Sequence, residues 1–304
     1  MKAHDFINWT KRIWKLSLSK PKDLVVPAKI GGLLRSLALP NAAAYDARVN
    51  VTAIQFDIAW ENKAANFEKV RRLLTDARPE KDSLVVLPEM FATGFTMNTE
   101  AMAETCGGET EQFLARTAKA SGVFLLAGAA MRGRDGQARN KALVFSPTGE
   151  LIAFYAKMQP FAPGGEAQHY VAGERPAVFR CGDCVVSPFV CYDLRFPEIF
   201  RQAAAAHRPE LFAVIANWPQ KRIQHWIRLL QARAIENQAC VVGVNRIGND
   251  PYYAYGGHSL IIDPLGEILA DAGTREGSIQ AKLDLANLRK YREGLPFLAD
   301  MRSR

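Results

Sequence analysis

Three reactive side chains stand at or just past the ends of apolar segments: Glu89 after Val85-Val86-Leu87-Pro88, Lys157 after Phe154-Tyr155-Ala156, and Cys191 after Phe189-Val190. A cysteine attacks as its thiolate, so it needs a base, and a partly buried carboxylate with a raised pKa can take the proton. Acyl transfer also needs positive charge beside the oxyanion that develops, which an ammonium supplies. A carboxylate, an ammonium and a thiol are together the parts of an amidase. Singly, each has a plainer reading, because a buried cysteine is more often a small hydrophobe and Glu or Lys at a strand end is more often on the surface.

The elements that must position these groups follow from the hydrophobic pattern. Cys184 to Val190 is an apolar, β-branched run that reads as a buried strand, and the charges and proline from Asp193 to Glu198 suit a helix start. Cys191 falls at the turn between them, where backbone N–H groups, that of Tyr192 first, lack helical partners and can donate to an oxyanion. Upstream, Val49 to Asp57 alternates as a strand, Asn62 to Ala77 is a helix burying Phe67, Val70, Leu73 and Leu74, and Ser83 to Leu87 is a short strand ended by Pro88-Glu89. A helix over Glu109 to Ala120 feeds a strand over Val123 to Ala129, and this alternation predicts an α/β sandwich.

Ala142 to Ser146 and Leu151 to Tyr155 read as strands joined by the turn Pro147-Thr148-Gly149-Glu150, a pattern that returns at Leu260 to Asp263, Pro264-Leu265-Gly266-Glu267 and Ile268 to Ala270. The chain therefore reads as a weak internal repeat, two similar halves packed sheet to sheet. Strands at Leu211 to Ala216 and Ala239 to Asn245 flank a long helix, Gln220 to Asn237, with Ile223, Trp226, Ile227, Leu230, Ala234 and Ile235 turned inward. The loop Asn217-Trp218-Pro219 precedes it, and such loops at strand ends are where substrates are held.

Composition narrows the class. A chain of 304 residues, nearly half of them apolar, can bury a large core. The formal charge of +8 is concentrated in residues 1–48, where nine Lys and Arg face three Asp, so the rest is nearly balanced and no nucleic-acid partner is expected. Within that segment Phe6, Ile7, Trp9, Ile13, Trp14 and Leu16 share one helical face and Asn8, Lys11, Arg12 and Lys15 the other. This basic amphipathic helix is expected to dock on the protein's own body or a second subunit in preference to an anionic membrane. No apolar run is long enough to span a bilayer and no secretory signal follows Met1, which places the protein in the cytoplasm. Five scattered cysteines argue against a disulfide framework, and Cys181-Gly182-Asp183-Cys184 reads as a hairpin turn, not a zinc site, since no second pair accompanies it. A Cys–His pair would have to draw on His169, His225 or His258, none of which sits in a motif tied to Cys191.

The motifs Leu87-Pro88-Glu89-Met90-Phe91, Tyr155-Ala156-Lys157 and Cys191-Tyr192-Asp193-Leu194-Arg195-Phe196-Pro197-Glu198 together resemble the nitrilase superfamily of carbon–nitrogen hydrolases. The likeness runs from about Val49 to Tyr291 and takes in Ala232 to Asn237, Asn245-Arg246 and Gly257-His258-Ser259. It implies an α-β-β-α sandwich over residues 48–292, with 1–47 as a basic extension and 293–304 as a tail, paired with a second copy into at least a dimer. It also implies the catalytic triad Glu89, Lys157 and Cys191, with Glu166 as a supporting carboxylate, a thioester intermediate, and no metal or organic cofactor. Leu-Pro-Glu-Met-Phe, Cys-Tyr-Asp-Leu-Arg-Phe-Pro and Ala-Asn-Trp-Pro taken together most resemble the omega-amidase branch, which hydrolyses the terminal amide of 2-oxo acids such as 2-oxoglutaramate. The alternatives are an amidase or carbamoyl hydrolase for another small aliphatic substrate, or an inactive family member kept as a scaffold. A carboxylated amide calls for a cation, and Arg222, with Lys221 second, is the expected one, beside Trp218 and His225. Arg195 and Arg233 are expected to be structural.

Overall fold

The structure, a computed structural model, describes residues 48–301, so the predicted N-terminal helix and connector lie outside the described residues. Strand β1 (Arg48–Gln55) sends Val49, Val51 and Ala53 to one core and Ile54, followed by Phe56, to another, as its alternation requires. Helix α1 (Lys63–Ala77) starts where the Asn62 side chain accepts the Ala65 N–H at 3.1 Å, and it buries Phe67, Val70, Leu73 and Leu74. β2 (Leu84–Val86), helix α2 (Glu109–Ser121) and β3 (Phe124–Arg132) follow, and β1, β2 and β3 run parallel. β4 (Ala138–Phe145) and β5 (Leu151–Ala156) continue the sheet antiparallel, across the predicted turn.

The second sheet repeats that plan. β7 (Cys184–Val190), β8 (Leu211–Ile215) and β9 (Cys240–Val244) are parallel, linked by helices α3 (Pro197–His207) and α4 (Ile223–Asn237), and β12 (Leu260–Ile262) and β13 (Ile268–Asp271) add antiparallel strands. Each sheet gains one antiparallel edge strand beside its first parallel strand: β6 (Phe179–Cys181) in the second and β14 (Gly277–Asp284) in the first. The order β14-β1-β2-β3-β4-β5 thus has its counterpart in β6-β7-β8-β9-β12-β13, and the internal repeat is one of topology. Between β9 and β12 lies a small hairpin, β10 (Ile247–Asn249) with β11 (Ala254–Gly256).

The inner sheet faces pack on each other through residues such as Val51, Val86, Val144 and Val186, while α1 and α2 cover the outer face of the first sheet with Phe67, Val70, Phe113 and Leu114. Helices α3 and α4 cover the second with Phe200, Trp226 and Leu230, which completes an α-β-β-α sandwich. Helix α5 (Leu285–Gly294) and the turn at Phe297–Asp300 follow β14, and Leu298 packs into the same core. Cys181 pairs directly with Cys184 across Gly182-Asp183, as the hairpin reading expects. Among the described residues no helix is long and apolar enough to cross a membrane.

Two elements depart from the sequence pattern. A 3-10 turn at Gln220–Arg222 precedes α4, which starts only at Ile223. Ile235 is 49% exposed because Trp226, Leu230, Arg233, Ala234 and Asn237 define the buried stripe and Ile235 lies about 100° around from it.

Candidate active site

Glu89 follows β2 by three residues, at a place where the chain turns sharply: Met90 has φ 43°. The turn presses against β3, and Gly128 is required there, since a Cβ on it would lie 2.5 Å from Glu89 Cα. The carboxylate is wholly buried and held on both oxygens. Oε1 accepts Asn140 Nδ2 at 2.7 Å and Lys157 Nζ at 3.0 Å, and Oε2 accepts the Asn217 backbone N–H at 2.7 Å.

Lys157 stands one residue past β5, and its ammonium also donates to Glu166 Oε2 at 2.7 Å. Burial works against the charge on Lys157, but the carboxylates of Glu166 and Glu89 outweigh it and hold the pKa above that of an ordinary lysine. Two of its three N–H bonds are thus committed, leaving one for an incoming oxygen. Glu166, in a 3-10 turn at Glu166–Gln168, is fixed further by the Phe161 N–H at 2.6 Å and by Asn140 Nδ2 at 2.8 Å.

Cys191 is the first residue of a 3-10 turn, Cys191–Arg195, between β7 and α3, and its φ of 49° is one a side chain rarely adopts. The N–H of Tyr192 precedes the first i→i−3 bond of that turn and is available to an oxyanion. The thiol lies 3.9 Å from the Asn217 carbonyl. Burial first, and then the Glu89 carboxylate, push its pKa well above the usual thiol range, so it rests protonated. A free thiolate would be a charge in a desolvated place, which burial disfavours.

Asp193 braces the turn. Its Oδ2 accepts the Tyr155 hydroxyl at 2.8 Å and the Val190 N–H at 2.9 Å, and its Oδ1 accepts the Gln159 N–H at 2.9 Å. Cys191 is thereby tied to the segments on either side of Lys157. Burial pushes the Asp193 carboxyl up to about 7 despite Lys157 and these donors.

Cys191 opens on a cleft whose walls include Phe95, Phe161, Tyr192, Trp218, Tyr253 and Tyr255, with Asn217, Arg195 and Arg222. Trp218 is buried and anchored by its indole N–H on the Arg222 carbonyl at 2.8 Å. The Arg222 guanidinium sits 5.6 Å from the Phe161 ring centre and that of Arg195 4.8 Å from the Trp218 ring centre. Burial and the neighbouring Arg222 lower the pKa of Arg195. Among the described residues neither arginine is paired with a carboxylate.

Three expectations change here. Arg195 is a wall of the cleft and not a structural residue, because the 3-10 turn after Cys191 swings it forward beside the nucleophile. His225 is exposed, outside the lining, and meets Arg195 at 3.3 Å, since the turn at Gln220–Arg222 rotates the first residues of α4 away from the cleft. Lys221 is exposed on that same turn and does not line the cleft. Arg233 is structural as expected, donating to the Leu194 carbonyl at 2.7 Å and to Glu236. None of the three histidines bonds Cys191: His169 is exposed and His258 is engaged by Asp271 at 3.0 Å. The sequence reading missed Asn140, Asp193 and Asn217 as parts of the site. Asn140 left a signal, a small amide inside a polar run that precedes an apolar strand.

Comparison with known proteins shows the family and the fold. Residues 50–293 match the carbon-nitrogen hydrolase family. The 2-oxoglutaramate amidase of Bacillus subtilis (strain 168) is 34% identical over 253 residues, 83% of this chain and 97% of that protein. The omega-amidase YafV of Yersinia enterocolitica is 38% identical over 256 residues, 83% and 96% respectively. A CN-hydrolase superfamily protein from Xanthomonas campestris, solved with an arsenic adduct in its active site, superposes with a TM-score of 0.78 at 31% identity, over 84% of this chain and 98% of that one.

Proposed function

The chain belongs to the carbon-nitrogen hydrolase family, and on that premise we propose that it is an omega-amidase, releasing ammonia from the terminal amide of a small 2-oxo acid such as 2-oxoglutaramate. Cys191 is the nucleophile, Glu89 the base, and Lys157 with the Tyr192 N–H the oxyanion site; Glu166 holds Lys157, and Trp218, Arg195 and Arg222 receive the substrate. Glu89 takes the thiol proton as sulfur attacks the amide carbon, so the charge lost from Glu89 reappears on the carbonyl oxygen beside Lys157. The total charge of the buried group does not change, which keeps the step inexpensive in a desolvated site. Glu89 then gives the proton to the departing nitrogen, ammonia leaves, and a thioester remains. Water surrenders a proton to Glu89 and attacks the thioester carbon, and the acid departs as the thiol is restored.

The observation that carries the substrate class is the pair Arg195 and Arg222, two cations lining a small aromatic cleft and, among the described residues, paired with no carboxylate. Arg195 spends one contact on His225, and a guanidinium lying on a ring has further N–H groups to offer a planar anion. The test is ammonia release from a panel comprising 2-oxoglutaramate, a neutral aliphatic amide of similar length and an N-carbamoyl compound, each with Cys191→Ala as control. A higher kcat/KM for the carboxylated amide is expected; equal or higher values for the neutral amide or the carbamoyl compound would sink the substrate assignment.

Pairing into a homodimer is part of the same proposal and is checked by light scattering on the eluting protein. A cytoplasmic setting is in keeping with five free thiols.

A further inference from the structure

Asn140 lies in β4 opposite Ala130 of β3, and its side chain is buried. Its Nδ2 stands 2.7 Å from Glu89 Oε1 and 2.8 Å from Glu166 Oε1, and its carbonyl accepts the Lys157 backbone N–H at 2.9 Å. One residue therefore touches the base, the lysine and the supporting carboxylate. Both of its near neighbours are acceptors, which fixes the nitrogen and not the oxygen on that side. The amide has two N–H bonds, and each carboxylate receives one. Its Oδ1 is buried and, among the described residues, has no partner. An orphaned buried acceptor is destabilising, so packing alone would favour an apolar side chain here.

We propose that Asn140 is a positioning residue of the amidase, one that holds the Glu89 and Glu166 carboxyl groups around a single ammonium and so keeps Glu89 aimed at the Cys191 thiol. The proposal rests on Glu89 being the base. Lys157 bonds both carboxyl groups, and without a second donor between them each is free to turn about that one contact. The two N–H bonds of Asn140, with the Asn217 N–H on Glu89 and the Phe161 N–H on Glu166, fix both oxygens of each carboxyl group. An aspartate at 140 would keep the shape and reverse the effect, replacing the two donors by acceptors.

The experiment compares Asn140→Ala, Asn140→Asp and Cys191→Ala with the parent enzyme on one amide, measuring kcat and KM across pH, with thermal melts to establish folding. Asn140→Ala is expected to lose on the order of 100-fold in kcat. Its KM should stay within about threefold, because Asn140 is not in the cleft wall. Asn140→Asp, which turns acceptors on both carboxyl groups, should lose at least as much in kcat. If Asn140→Ala does not fold, Asn140→Asp, of the same volume, decides on the same readout. A folded variant whose kcat matches the parent overturns the proposal, as does a loss expressed in KM with kcat kept. Activity in Cys191→Ala would instead bring down the thiol mechanism; an inactive Cys191→Ala beside unaltered Asn140 variants sinks this inference alone.

Discussion

Asn217 and Glu89 are joined three times: the Asn217 backbone N–H donates to Glu89 Oε2 at 2.7 Å, and its side-chain amide donates to the Glu89 carbonyl at 2.8 Å and to Oε2 at 3.3 Å. The same residue offers its own carbonyl to the Cys191 thiol. Asn217 follows β8 of one sheet and Glu89 follows β2 of the other, so Glu89 and Cys191 are registered through a single loop residue.

Glu89→Gln and Cys191→Ala should each lower kcat by on the order of 1,000-fold or more while the proteins still fold. Glu89→Gln carries a second signature. Burial raises the Cys191 pKa most, but the Glu89 charge adds to it, so removing that charge lets the thiol titrate at lower pH. Inactivation by iodoacetamide, followed against pH, should show a midpoint shifted downward in the variant. An unshifted midpoint would mean that Glu89 does not act on the thiol.

Lys157→Met should cost stability as well as turnover. It leaves Glu89 and Glu166 buried without a counter-charge, and losing one partner of a buried pair costs about 3–5 kcal/mol. Urea melts would register this, and a variant as stable as the parent would show that the site takes up a proton at little cost.

Arg222→Met and Arg195→Met should each raise KM for acidic amides far more than for neutral ones, a loss of about 2–4 kcal/mol in kcat/KM for the charged substrate. An equal loss for both classes would assign these arginines to shaping the cleft and not to binding a carboxylate.

Asp193 makes stability depend on pH in the direction opposite to most carboxylates. Its folded pKa, raised to about 7 by burial, exceeds the unfolded value near 3.8, so the folded protein holds the extra proton between them. Stability from this group is present below the unfolded pKa and is lost as pH rises through the folded one. The difference in unfolding free energy between the parent and Asp193→Asn should shrink from about pH 4 to about pH 7. A difference that grows over that range would mean that Tyr155, Val190 and Gln159 hold Asp193 ionised.

The layers and the chemistry were legible because both are written in local pattern. β-Branched runs gave the parallel strands, and Glu89, Lys157 and Cys191 each mark a strand end. What stayed hidden depends on partners distant in sequence. β4 begins with Arg139-Asn140-Lys141, a polar run that does not read as a strand, yet Asn140 turns inward to two carboxylates. β14 pairs with β1 across more than two hundred residues, and its alternation of Ile279, Ala281 and Leu283 does not say which strand it joins. Arg195 and His225 exchange expected roles because a 3-10 turn, in place of a first turn of α-helix, changes which side chains face the cleft.

The reactive group straddles a seam: Glu89 and Lys157 hang from one sheet, Cys191 and Asn217 from the other, and between the sheets lie apolar side chains that make no directional bonds. Turnover is in effect a vernier on that seam. A slip of an ångström would leave every strand hydrogen bond intact and the circular dichroism unaltered, yet would separate thiol from carboxylate. Modest hydrostatic pressure or sub-denaturing urea is therefore expected to silence the enzyme reversibly before the sandwich begins to unfold.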